Sequence, residues 1–137
     1  MNEERKIRHL EMIQNIINRL ASNSFLIKGW TVTIVVGLFA FANFKEMNSQ
    51  FIIVALIPVL FFWGLDGFFL YQEKLFRKLY VHVINLQVDK VNFSMEIESF
   101  KTKYGWITAT KSKTLLPFYL PIIAVILIAY CIPMVCK

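Results

Sequence analysis

Two ionisable side chains stand where an ionisable side chain is expensive. Asp66 lies in FFWGLDGFFLYQ, and Lys28 lies in NSFLIKGWTV. A charge surrounded by apolar residues needs a partner of opposite sign, a water-filled cavity or a proton. Two chemistries follow. In the first, Lys28 and Asp66 form an intramembrane charge pair that fixes two helices, with Gly64 and Gly67 letting the helices close around it. In the second, Asp66 lines a conduit or binds a proton or cation. The two are compatible if subunits of a ring share the same charges. The first requires Lys28 and Asp66 to sit at similar depth on antiparallel helices, so the elements that carry them must be read next.

Hydrophobic residues make up 57% of the 137-residue chain and charged residues 18%, a balance more apolar than a soluble domain carries. The excess collects in Phe25–Phe44, Phe51–Tyr71 and Leu115–Val135. Each block is close to the roughly 20 residues that cross a bilayer as a helix. An all-α membrane protein is therefore expected. It has an amphipathic helix over 1–23, a transmembrane hairpin with spans 24–44 and 51–72, a cytoplasmic helix and loop over 73–113, and a third span over 114–136. The opening residues are amphipathic and no small-x-small site follows the first block, so this block is expected to remain as a membrane helix.

Basic residues orient the spans. Arg5, Lys6, Arg8 and Arg19 precede the first, and Lys74, Arg77, Lys78, Lys90, Lys101, Lys103, Lys111 and Lys113 fill the second connection. The first connection holds only Lys45, and the tail holds Lys137. The expected topology is a multi-pass protein of the bacterial inner membrane with a cytoplasmic N-terminus and an external C-terminus. The net charge of +6 is read as a topology signal. Anionic lipids are the expected partners, and nucleic acid is not, because no aromatic-basic groove accompanies the charge.

Local signals fill in the layout. Ile7, Leu10, Ile13, Ile17 and Leu20 recur at helical spacing. This stripe is expected to dock on its own chain or on a neighbour's copy rather than to lie flat on the leaflet. Ser22, Asn23 and Ser24 read as a cap for the next helix, and His9 as an exposed residue. Trp30 and Trp106 are interfacial anchors, and Gly37 offers a small-residue packing face. Pro58, near the middle of the second span, predicts a kink. Leu75, Leu79, Val83 and Leu86 extend that helix to about residue 86, roughly 20 Å beyond the bilayer. Its apolar stripe needs the first helix as a cover, and His82 reads as packing.

After residue 86 the period changes. Val91, Phe93, Met95 and Ile97 alternate with polar residues, as do Tyr104, Trp106, Thr108 and Thr110, so a small β-hairpin is the reading. The third span opens with Thr114 as a cap and Pro117 in its first turn, and its apolar length predicts a lipid-facing helix. Cys131 and Cys136 read as membrane-embedded thiols. No phosphate loop, nucleophile elbow or zinc-protease motif is present. No catalytic residue, cofactor or metal site is expected.

The stretches NSFLIKGW at 23–30, WGLDGFFLYQEKLFRKLY at 63–80 and FSMEIESFKTKYGW at 93–106 resemble a widespread type of small bacterial membrane protein. The layout is similar to that of membrane effectors of phage-defence systems, including the SMODS/SLOG-associated two-helix effectors and the pore-forming accessory of RNA-targeting CRISPR systems. The third span departs from the two-helix pattern. The resemblance implies a non-enzymatic homo-oligomer that permeabilises or depolarises the membrane. Two alternatives stay open: an anchor that recruits a cytosolic partner through 73–113, and a small proton-coupled transporter subunit built on Asp66.

Overall fold

The computed structural model describes residues 2–44 and 49–135. Two long helices dominate. Helix α1 (Asn2–Phe44) has 43 residues and α2 (Leu56–Asn85) has 30. At 1.5 Å per residue they measure about 65 Å and 45 Å. A 3₁₀ turn at Ser49–Ala55 leads into α2. Short 3₁₀ turns at Val88–Lys90 and Glu98–Phe100 punctuate the next segment. A six-residue helix α3 (Gly105–Thr110) and the apolar α4 (Leu116–Val135) complete the order.

Helices α1 and α2 are antiparallel. The Lys6 ammonium donates to the Ile84 and Leu86 carbonyls, at 3.0 and 2.7 Å, and Lys28 meets Asp66 much farther along the pair. The seam on α1 runs through His9, Ile13, Ile17, Ser24, Ile27, Thr31 and Val35. These steps of three, four and seven keep one stripe facing its neighbour. The facing positions on α2 are Val59, Asp66, Leu75, Leu79 and Val83.

Two apolar clusters form along this seam. The first gathers Val35, Ala55 and Val59 with Leu115, Tyr119 and Ile126 of the third apolar segment. The second gathers Ile13, Ile17, Leu79 and Val83 with Val91, supported by Met95, Ile97 and Phe100. The cover for the far end of α2 is thus the first half of α1 plus the irregular strap after α2. Buried apolar side chains of this kind each contribute about 1.5–3 kcal/mol.

Outside the first cluster the surface stays apolar. Phe25, Val32, Val36, Phe41, Phe61, Val125 and Ile128 are exposed. Two helices are long and apolar enough to cross a membrane, and only 17% and 22% of their most apolar windows is buried. The core helix of a soluble protein would be mostly covered, so burial within the chain does not account for their composition.

Several expectations differ from the structure. No helix boundary falls at residue 23, because α1 runs unbroken from Asn2 to Phe44. The amides after Ser22 remain inside a continuous helix and need no cap, which frees the Ser24 hydroxyl for a tertiary contact. Pro58 occupies the first turn of α2, not its middle. There its missing N–H removes no intrahelical bond and its ring fits helix initiation.

The described residues contain no strand where the alternation suggested a β-hairpin. Residues 91–97 run in extended and irregular backbone, with Phe93 at φ 56°. The second alternating stretch is helical, closed by Thr108 N–H to Tyr104 C=O at 2.9 Å. A lone two-stranded hairpin has nothing to hold it in water, whereas α3 finds a prepared surface on α2. At the start of α4 the Ser112 hydroxyl and carbonyl, rather than Thr114, take the Leu115 amide. Helix α4 is not an outward-facing helix throughout, because its Tyr119 and Ile126 are fully buried, as is Leu115 just before it.

Candidate functional site: a polar node between three helices

The most chemically unusual residue is Asp66, whose side chain is 0% exposed. Burying a carboxylate costs several kcal/mol unless its oxygens are fully engaged. Three donors reach them. The Lys28 ammonium lies 2.5 Å from Oδ2. The Tyr119 hydroxyl donates to the same oxygen at 3.0 Å. The Ser24 hydroxyl donates to Oδ1 in a short hydrogen bond. Lys28 also donates to Ser24 Oγ at 2.8 Å, so both hydrogen-bonding positions of that hydroxyl serve the ion pair.

Each side chain arrives for a local reason. Ser24 and Lys28 are four apart on α1 and therefore share a face. Asp66 lies on the α2 seam, seven residues after Val59. Tyr119 sits in the first turn of α4, four residues after the buried Leu115. Its ring stacks on Trp63 with centroids 5.9 Å apart and meets Phe118 edge-on at 4.9 Å. Lys28 keeps 19% side-chain exposure and approaches the Phe118 ring at 5.9 Å. The node is neutral overall and fully hydrogen-bonded, and it ties α1, α2 and α4 together at one level.

The small residues divide. A Cβ on Gly67 would run into the Thr110 hydroxyl and sit 3.1 Å from Thr110 Cα. A Cβ on Gly105 would lie 2.6 Å from Tyr71 Cζ. Gly67 thus admits α3 rather than closing α1 around the charge pair. Gly64 serves the same neighbour through its carbonyl, which accepts the Trp106 indole N–H at 3.0 Å. The Trp63 indole reciprocates on the Thr110 carbonyl at 3.0 Å. Nothing lies within 4 Å of a Cβ built on Gly37, so Gly37 makes no close packing contact inside this chain. Trp30 is exposed on α1, and Trp106 is half-exposed on α3.

Other expected residues are placed as follows. His9 is buried at 4% exposure, not on the surface. His82 packs edge-on against Phe100, with centroids 5.8 Å apart. Arg77 pairs with Glu73 at 2.7 Å across one helical turn. Cys131 is exposed, while Lys45, Cys136 and Lys137 lie outside the described residues. Among the described residues no group of three metal-ligating side chains comes together.

Ser24 and Tyr119 escaped the sequence reading. The available signals were the four-residue step from Ser24 to Lys28, and Tyr119 as the single hydroxyl between Leu115 and Ala129. Comparison of the chain with protein-family models, with curated proteins and with solved structures gives no match.

Proposed function

We propose that this chain is a non-enzymatic homo-oligomeric protein of the bacterial inner membrane. In this reading α1, α2 and α4 each cross the bilayer, the N-terminus is cytoplasmic and the C-terminus is external. The observation that carries it is the apolar belt. Two long helices and α4 present large apolar side chains outward, densest on the α4 side of the polar node and sparser among the basic residues beyond it. Helix α4 has 20 residues, which span about 30 Å, the thickness of a bilayer core. The basic residues on the N-terminal half of α1 and on 74–113 suit the cytoplasmic side.

Within this proposal the oligomer perturbs the membrane, as in the phage-defence effectors that the layout resembles. A sealed Asp66 provides no conduit inside one protomer, so any path for ions lies between protomers. The open Gly37 face is the natural contact. Purified protein in dye-loaded vesicles is expected to release dye and to run as an oligomer by native mass spectrometry. Gly37→Leu should reduce both. A strict monomer with tight vesicles would remove this reading.

A second reading, an anchor for a cytosolic partner, is favoured by the self-contained second cluster. That half has its own core and a cleft of about 360 Å³ lined by His82, Lys90 and Glu96 among others. Pull-down with and without the 86–100 strap separates the two readings. The reading of Asp66 as the coupling group of a transporter loses support from its three protein donors, which leave no open oxygen for a transported ion.

A further inference from the structure

We propose that the cleft between the start of α1 and the strap after α2 binds a small cytosolic anion carrying a flat ring. It has a volume of about 400 Å³, a size that holds small ligands. Its lining is Arg5, Arg8, His9, Met12, Phe93 and Met95. Two guanidiniums suit phosphate or carboxylate. Two thioethers and a phenyl ring suit an apolar plane.

Three observations, on His9 and Phe93, point to a ligand. First, His9 is 4% exposed, and its Nε2 is buried without a hydrogen-bond partner. A buried polar atom left unpaired is uncommon and calls for an explanation. Second, Phe93 holds a left-handed backbone with φ 56°, a conformation that a bulky residue rarely adopts and that concentrates at ligand clamps. Third, the Phe93 ring is held between the two α1 side chains Arg5 and His9. It stands edge-on to His9 at 5.7 Å and lies under the Arg5 guanidinium at 5.0 Å.

The charge around the cleft is one-sided. From α1 its lining receives Arg5 and Arg8, and Arg8 is paired to Glu4 beside the cleft at 3.1 Å. Residues 91–95 of the strap carry no charge. An anion takes Glu4's place on Arg8 and accepts from His9 Nε2. Its ring takes Phe93's place beneath Arg5, and the strap relaxes from its left-handed turn. The cleft lies fifteen residues before Ser24 along α1, about 22 Å from the node; with the bilayer boundary at the node, as in the proposed function on which this choice rests, a soluble anion rather than a lipid headgroup is its occupant. This inference does not depend on whether the oligomer conducts.

The test uses the full-length protein in neutral phosphatidylcholine nanodiscs, with calorimetric titration of phenyl phosphate, inorganic phosphate and phenol. Phenyl phosphate should bind saturably, at least about tenfold tighter than either fragment, with one charge-assisted contact contributing about that factor. Arg5→Gln should weaken it about tenfold, and His9→Asn should weaken it too. Arg5→Lys, which keeps the charge but loses the flat stacking surface, should fall between. In a His82→Gln background, the His9 ring resonances should move at about tenfold lower concentrations of phenyl phosphate than of inorganic phosphate, and not with phenol. Equal, unsaturable responses to all three probes, or binding untouched by Arg5→Gln in a folded variant, would overturn the proposal.

Discussion

The two ends of the α1–α2 pair use the same helices and solve different problems. At the α4 end the core is Val35, Ala55, Val59, Leu115, Tyr119 and Ile126, and the outside is apolar as well. At the other end the core is Ile13, Ile17, Leu79, Val83 and Val91, while Glu3, Glu4, Glu11, Arg19, Lys74 and Lys78 face outward. In the bilayer proposed above, lipid against that apolar outside removes the hydrophobic force that would drive helices together. There the helices need polar anchors, and the Asp66 node supplies them. A polar outside restores that force, and a loosely structured strap is enough to finish the core. The contrast explains why buried charge sits at the junction and not in the second cluster.

The sharpest way to break this comparison is to unpair the node. Lys28→Ala leaves a carboxylate buried without its cation and should cost about 3–5 kcal/mol, felt in both halves because α1 and α2 run through both. Denaturant titration in detergent micelles measures it. The double variant Lys28→Met with Asp66→Leu should recover most of the loss, since a packed apolar pair replaces a buried ion pair at little net cost.

A smaller effect should follow from Gly67→Val, which overpacks against the Thr110 backbone and should cost about 1–3 kcal/mol. It acts on α3 alone, so the Trp106 indole should leave the Gly64 carbonyl and its fluorescence should shift, while the second cluster keeps its hydrogen-exchange protection. Loss of protection at Ile13 and Leu79 would show that the halves are less separate than described.

Tyr119→Phe removes one of three donors to Asp66 and should cost about 1–2 kcal/mol. Its effect belongs to α4. Cross-linking between α4 and α1 should fall before the α1–α2 contact weakens, and simultaneous loss of both would contradict the division.

The smallest effect is specific to the second half. Burial holds the His9 imidazole below its ordinary pKa of 6.5. The unfolded state therefore binds the proton more readily, and stability present above pH 6.5 is lost as pH falls below it. Hydrogen exchange of residues 91–97 should accelerate from pH 7.5 to pH 5.5 after correction for intrinsic rates. His9→Leu should abolish the acceleration, and the first cluster should not respond.

Much of this organisation was legible in the residues. A carboxylate and an ammonium inside apolar blocks, on segments joined by a short connection, placed Lys28 and Asp66 at one depth. The 3–4 spacing of Ile13 and Ile17 and the run from Leu75 to Val83 marked the covering surfaces. Polar members of the seam were hidden, because His9, Ser24 and Thr31 break the hydrophobic pattern on which such readings rest. The strand-like alternation at Tyr104–Thr110 misled for a related reason. A six-residue helix has little intrinsic stability, so α3 exists through Gly67, the Gly64 carbonyl and the Trp63 indole, none of which is local to it.

Sequence alone determined the long apolar helices, their antiparallel order, and the buried charge that such helices cannot leave unpaired. These follow from period, length and the cost of a charge in an apolar medium, all local quantities. Tertiary structure decided that α1 is unbroken, that Tyr119 and Ser24 complete the carboxylate's hydrogen bonds, and that His9 lies buried beneath Phe93. Those outcomes depend on which faces meet across 40 or more residues of chain, and contacts at that distance leave no periodic trace.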